Sequence, residues 1–300
     1  MISFAKRALL VLVGLAGLLG ADFLVGPYPA WLNEFRPSKK IGGQQPAEPF
    51  RIAGNFYYVG ASDIAAFLIT GPDGHVLLDA GYPTTAPMIM ASVAKLGFDI
   101  KDVRVLLNSE AHADHAGGFS VLKEASGAEL WVSDGSADTI ESGGEDPDMA
   151  LPMRALSRIT ALGYPSARVE HRISDGDTIR VGPIAMTAHI TAGHTRGCTT
   201  WTFPVRDGDR VLNVVSVCDT GVLGLSSYPD RDADRERSIR VLRSLPADIW
   251  VTNHARAWGR YRKFVASQTA KNPVDAFIDP EGYRAFIDAA EAELRQGRVH

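Results

Sequence analysis

The chain has 300 residues, 45% hydrophobic and 22% charged, with two cysteines and a formal net charge of −4. That length serves one large domain or two ordinary ones, and the apolar content allows a sizeable core. The charge excludes a basic nucleic-acid footprint, and two cysteines exclude a disulfide scaffold.

The chain opens on "MISFAKRALLVLVGLAGLLGA": Lys6 and Arg7, an apolar run from Ala8 to Leu19, then Gly20 and Ala21. Positive, then apolar, then small is the pattern of a secretory signal. The run is shorter than the roughly 20 residues that span a bilayer. The expectation is a signal peptide over 1–21, export to the periplasm, and no stable membrane association after cleavage. An uncleaved anchor is the rival reading, because "DFLVG" prolongs the apolar stretch. No cysteine follows the run, which argues against a lipid anchor. Residues 22–49 carry five prolines and a Gly-Gly and read as an irregular arm. Trp31, Leu32 and Phe35 could dock it on the body, beside the functional site; a solvated linker is the alternative.

From residue 50 to 300 the pattern suits a single domain of two halves. "FRIAGNFYYVG", "IAAFLIT" and "HVLLDAG" read as strands, with "GPDG" (Gly71–Gly74) as a hairpin turn. "TAPMIMASVAKLG" reads as a helix, "VRVLLNS" as a buried strand, "FSVLKEAS" as a helix and "AELWVS" as a strand, followed by a helix near Ser136–Ser142. "GGEDPDMALP" is a polar loop and "RALSRITALG" helical. A second half begins with strands "RVEHRI", "TIRVG", "IAMTAHIT", "CTTWTFPV" and "RVLNVVSVCD". Helix "DRERSIRVLRSL", strand "DIWVTNH" and a terminal helix over Tyr283–Arg298 complete it. Two such halves pack sheet on sheet with helices outside, an α/β fold with four αββα layers. The symmetry is one of element order, with no short repeat of letters.

The stretch "NSEAHADHAGG" (Asn108–Gly118) crowds Glu110, His112, Asp114 and His115 into a loop after an apolar strand. In extended chain, residues i and i+2 point the same way. Glu110 and His112 can face one ion, and Asp114 and His115 a second point past the turn. Catalytic zinc sites use three protein ligands of nitrogen and carboxylate type, so each pair is one ligand short. Of eight histidines, His194 in "TAGHTRG" and His254 at the end of "DIWVTNH" stand where strands run out into loops, which is where sites are built. His75, His171 and His300 carry no such signal. His189 reads as a strand histidine satisfied by its neighbours.

These residues resemble a known family. "HADHAGG", "TAGHTRG" and "VTNHARA" look like the metallo-β-lactamase superfamily, and its B3 subclass above all. "YYVGASDIAAFLITGPDGHVLLDAGYP" resembles that subclass's opening strands, and "VCDT" follows in family order. The likeness runs from about Phe50 to His254. It implies the four-layer sandwich and two Zn2+ per chain. It assigns Glu110, His112 and His194 to the first zinc, and Asp114, His115 and His254 to the second, with Asp114 doubling as a catalytic group. Glu110 departs from the family pattern, which has histidine there. A carboxylate is a competent zinc ligand, and its added negative charge makes a bound water less acidic. Asp79, in "LLDAG", is expected to accept hydrogen bonds from the metal loop. Asp219 is expected outside the metal shell, although thioester hydrolases of this family bridge their ions with an aspartate near that place.

The resemblance further implies a monomeric β-lactamase that opens the amide of a small-molecule β-lactam through a metal-bound hydroxide. Thr220 is the expected contact for the substrate's carboxylate, with Ser226, Ser227 or Arg196 as other partners. A thioester or lactone hydrolase is the alternative, and a zinc-holding protein without turnover the third reading. Cys198 and Cys218 flank the turn "RDGD" and come nearly opposite each other; a disulfide and two buried thiols both stay open.

Overall fold

The computed structural model describes residues 43–149, 151, 154, 163–221 and 228–297. The expected signal peptide, the arm up to residue 42, most of "RALSRITALG", Ser226, Ser227 and His300 lie outside the described residues.

Twelve strands form two sheets among the described residues. The first sheet runs in sequence order: β1 (Phe50–Ala53), β2 (Phe56–Tyr58), β3 (Phe67–Ile69), β4 (His75–Leu78), β5 (Val103–Leu107), β6 (Glu129–Ser133) and β7 (His171–Ile173). β1 to β4 are antiparallel neighbours, and β4 to β7 pair in parallel. The second sheet has the order β12 (Ile249–Thr252), β11 (Arg210–Val217), β10 (Thr199–Asp207), β9 (Ile184–Ile190) and β8 (Thr178–Val181). Only the β11–β12 pair in it is parallel.

Side chains alternate across a strand, and the first sheet shows it. Leu68, Leu77 and Leu106 face outward into a core with helices α1 (Ala86–Lys95), α3 (Phe119–Ser126) and α4 (Asp134–Glu141). Phe67, Ile69, Val76, Leu78, Val105 and Leu107 face inward and meet Met186, Trp201, Phe203 and Val214 of the second sheet. That sheet packs outward on α5 (Arg231–Ser244) and α7 (Pro280–Gln296) through Ile239, Leu242, Tyr283 and Ile287. The layers are therefore α, β, β, α, as the sequence pattern implied. At the start of α7, Asp279 accepts from Gly282 N at 2.9 Å, Pro280 occupies the first turn, and Gly297 ends the helix in the left-handed region.

Three elements differ from the sequence expectation. "FRIAGNFYYVG" is two strands, β1 and β2, turning at Gly54 (φ +51°). A Cβ there would lie 2.2 Å from Arg206 O, so only glycine fits. "RVEHRI" holds β7, which pairs in parallel with β6 (Trp131↔His171) and so closes the first sheet instead of opening the second. α6 (Arg260–Ser267) was not anticipated. No helix among the described residues is long and apolar enough to cross a membrane.

Candidate metal centre

Strand β5 ends at Leu107, and the next eleven residues form a loop closed by the one-turn helix α2 (Ala113–Ala116). Every neighbouring layer holds the loop's backbone. Trp201 of β10 donates its indole N–H to Asn108 O at 3.0 Å. Thr199 N reaches Ser109 O at 2.8 Å, and Tyr164 donates its hydroxyl to Ala111 O at 2.6 Å. Asp79, fully buried at the end of β4, accepts from Ser109 N and Ser109 Oγ at 2.7 Å each. Asp79 is the one non-glycine described residue at positive φ (65°), a conformation that aspartate tolerates better than most residues and that often marks a functional site.

Two triads result. In the first, Glu110 Oε2 lies 2.7 Å from His112 Nδ1 and 2.9 Å from His194 Nε2, and the two nitrogens are 3.1 Å apart. Donor atoms around a tetrahedral zinc stand roughly 3.3 Å apart, given Zn–N and Zn–O near 2.0–2.1 Å. In the second, His115 Nε2 and His254 Nε2 lie 3.2 and 3.8 Å from Asp114 Oδ2. All three donor atoms of each triad fall within 4.8 Å of one another. Glu110 Oε2 and both ring nitrogens of His115 are buried atoms without a hydrogen-bond partner. Buried polar atoms are ordinarily satisfied, so Glu110 Oε2 in the first triad and His115 Nε2 in the second, both left without a partner, fit divalent cations.

Glu110 stands between the triads. Its Oε1 is 3.4 Å from His115 Nε2 and accepts from Asn253 Nδ2 at 2.6 Å. Burial opposes its ionisation, but His194, His112 and His115 outweigh that and hold the carboxyl well below the usual range. Asp114 behaves likewise, ionised by His115 against the effect of burial. Burial also disfavours charge on His115 and His194. The acids win there too: Asp114 and Glu110 push His115 up to about 10, and Glu110 pushes His194 up to about 10. Burial raises Asp79 to about 6 against the pull of His115.

Neighbours aim the imidazole rings of the triads. His194 donates Nδ1–H to Gly221 O at 2.8 Å, which leaves Nε2 to face Glu110. His254 Nδ1 is 3.6 Å from Asp63 Oδ2, and Asp63 Oδ1 accepts from Arg256 N at 2.8 Å. An antiparallel bridge between Ile64 and His254 brings the β2–β3 loop to this place.

The structure thus brings Glu110, His112, Asp114, His115, His194, His254 and Asp79 together. Asp219 Oδ1 accepts from Gly221 N at 2.8 Å, and its Oδ2 is 3.9 Å from His254 Nε2. Thr220 lines a small cavity behind His194, with Arg235 and Ser238. Arg196 is occupied: its Nε is 2.6 Å from Asp148 Oδ2 and its guanidinium lies over the Tyr228 ring at 4.2 Å. His75 packs edge-on against Phe98, His171 stacks on Trp131, and His189 bonds Thr202 Oγ1 at 2.9 Å. Cys198 and Cys218 form a disulfide. Asn253 and Asp63 were not singled out from the sequence. The signal was slight: an asparagine wedged between the apolar run "DIWVT" and a histidine, and an acid in an otherwise apolar loop.

Both triads open on a cleft of about 530 Å³, lined also by Tyr82, Thr195, Asp219 and Arg256. That is the size of a small-molecule site.

Residues 59–254 match the family model of the metallo-beta-lactamase superfamily. Among solved structures, the FEZ-1 metallo-beta-lactamase from Legionella gormanii is 35% identical, with a TM-score of 0.77 over 84% of this chain and 96% of that one. The Rm3 metallo-beta-lactamase is 36% identical, with a TM-score of 0.78 over 90% and 97%. BJP-1, a subclass B3 metallo-beta-lactamase of Bradyrhizobium japonicum, is 26% identical, with a TM-score of 0.77 over 87% and 97%. A hydroxyacylglutathione hydrolase of Jannaschia sp. (strain CCS1) is 23% identical over 211 residues, 70% of this chain and 69% of that protein.

Proposed function

The chain belongs to the metallo-beta-lactamase superfamily and is a metallo-hydrolase; from that premise we propose that it is an exported, zinc-dependent β-lactamase acting on the amide of β-lactam antibiotics. The observation that carries the reading is the extent of the likeness. Solved β-lactamases match along nearly their whole length at 35–36% identity, whereas the hydroxyacylglutathione hydrolase matches at 23% over 69% of its own.

In this reading Glu110, His112 and His194 hold one Zn2+, and Asp114, His115 and His254 another. Two such ions supply a water that is nucleophilic near neutral pH and Lewis-acid stabilisation of the oxygen and nitrogen of the broken amide. The protein's own part is to present neutral rings and ionised acids to them. The Gly221 carbonyl keeps the proton of His194 on Nδ1. Asp114, ionised and on the cleft wall, is an acceptor for a proton of the reacting water. Thr220, expected at the substrate's carboxylate, lines the cavity behind His194 and not the cleft, so this arrangement gives it no contact with a substrate there. No side chain need form a covalent intermediate.

Turnover of a carbapenem and a chromogenic cephalosporin, abolished by chelation and restored by Zn2+, is the expected result. Hydrolysis of thioesters or lactones with neither drug opened would replace the reading by the thioester or lactone alternative. Two zinc equivalents by elemental analysis check the stoichiometry, and fractionation of expressing cells checks the periplasm.

A further inference from the structure

The buried amide of Asn253 is not explained by the metal-binding pattern. Asn253 follows β12, is 1% exposed, and serves two layers at once. Its carbonyl accepts from Ala65 N at 2.9 Å, which ties in the β2–β3 loop. Its side-chain nitrogen lies 2.6 Å from Glu110 Oε1 and 3.5 Å from Ser109 Oγ. The orientation is compulsory, because an ionised carboxylate only accepts and must face the amide's N–H group.

The bond has a particular consequence at this position. A carboxylate has two equivalent oxygens, and here both stand among metal-binding atoms: Oε2 within the first triad and Oε1 3.4 Å from His115 Nε2 of the second. Left alone, Glu110 could swing or bridge between the triads. A histidine in its place would offer no such choice. The Asn253 amide occupies Oε1 with a charge-assisted hydrogen bond. It thereby turns Oε2 alone toward His112 and His194, and it draws negative charge away from the ligating oxygen.

We propose that Asn253 is a positioning residue for Glu110, which commits that carboxylate to the first metal site and keeps it out of the second. The inference rests on Glu110 being a metal ligand, as read above.

The test is a double-mutant cycle on the full-length, metal-stripped protein, with Zn2+ titrated against a chromophoric chelator and Co2+ followed by its visible spectrum. The binding step lost in Glu110→Ala identifies the first site. Asn253→Ala should weaken that step by about 10–100-fold, shift its Co2+ spectrum, and change the other step less than about threefold. Made in a Glu110→His background, the same change should cost less than about threefold, because no second oxygen remains to be held. First-site affinity within about twofold of wild type, or equal losses in both backgrounds, overturns the proposal; the latter would mean that Asn253 acts only through packing. If Asn253→Ala melts before titration, Asn253→Ser and Asn253→Asp give the same contrast. Serine keeps a donor and aspartate sets a like charge against Glu110. First-site binding at least about tenfold weaker in the aspartate variant supports the proposal, and equal binding overturns it. A wild-type protein that takes up no metal at all removes the premise itself, an outcome distinct from a wild type that binds normally with an indifferent Asn253.

Discussion

His112 Nδ1 and His194 Nε2 stand 3.1 Å apart, with their rings at 90°, and both face the same oxygen of Glu110. Three atoms that bind protons or cations share one small volume, so what occupies that volume must depend on pH.

The first prediction concerns protons. Against the effect of burial, the acids raise His115 and His194 to about 10 in the metal-free chain, above the ordinary value of about 6.5. The stabilisation from these charged rings is therefore complete below about pH 6.5 and is lost as pH rises through about 10. The metal-free protein should melt at progressively lower temperature from pH 7 to 10.5, whereas the zinc-loaded protein should not show this loss. Loading at pH 7.5 must expel the ring protons. Calorimetry in buffers of differing ionisation enthalpy should then report about two protons released per chain, and a release near zero would refute the assignment.

A second prediction isolates Glu110. Glu110→Ala should leave one tight zinc equivalent per chain. Glu110→His should raise occupancy of the first site and, by removing a negative charge from the cluster, move the acidic limb of the pH–rate profile to lower pH. If neither occupancy nor limb moves, Glu110 does not bind metal.

Asp79 supports the loop from beneath. Asp79→Ala would leave the buried N–H and hydroxyl of Ser109 without their acceptor, at a cost of about 2–4 kcal/mol. It would also force alanine into a left-handed conformation. A fall of roughly 5–10 °C in Tm is expected for a domain of this size, with weaker zinc retention. Asp79→Asn keeps an acceptor and tolerates the backbone, so it should lose about half as much. Equal melting of all three proteins would dissociate Asp79 from the loop.

The disulfide between Cys198 and Cys218 joins the segment after His194 to the one before Asp219. Closing a loop of that length contributes about 2–4 kcal/mol. The double Cys→Ser variant should melt roughly 5–10 °C lower yet retain its zinc, because neither sulfur belongs to a triad. Loss of one zinc equivalent from the folded variant would count against this division of roles.

Much of the site was legible because its signal is local. Glu110, His112, Asp114 and His115 lie within six residues of one another; period-two pointing pairs Glu110 with His112, and the turn into α2 carries Asp114 and His115 to the other group. His194 and His254 were legible as polar residues at the ends of apolar strands. What escaped depends on contacts distant in sequence. Nothing in "ASDIAA" says that Asp63 will meet a histidine 191 positions later; the Ile64–His254 bridge decides that. Asn253 escaped for the same reason, since its partner Glu110 lies in the other half of the chain. β7 went to the first sheet because its parallel partner β6 was already there, a choice that apolar patterning along a three-residue strand cannot encode.

The origin of the six donors has a further consequence. Four follow β5 in the first sheet, while His194 and His254 follow β9 and β12 in the second, so each triad is completed only by a side chain from across the sandwich. A half-folded chain owns two incomplete pairs and no finished cradle. Ions seated there would act as rivets through the seam between the halves, and capture of the second donor set would report that the two sheets had met in register.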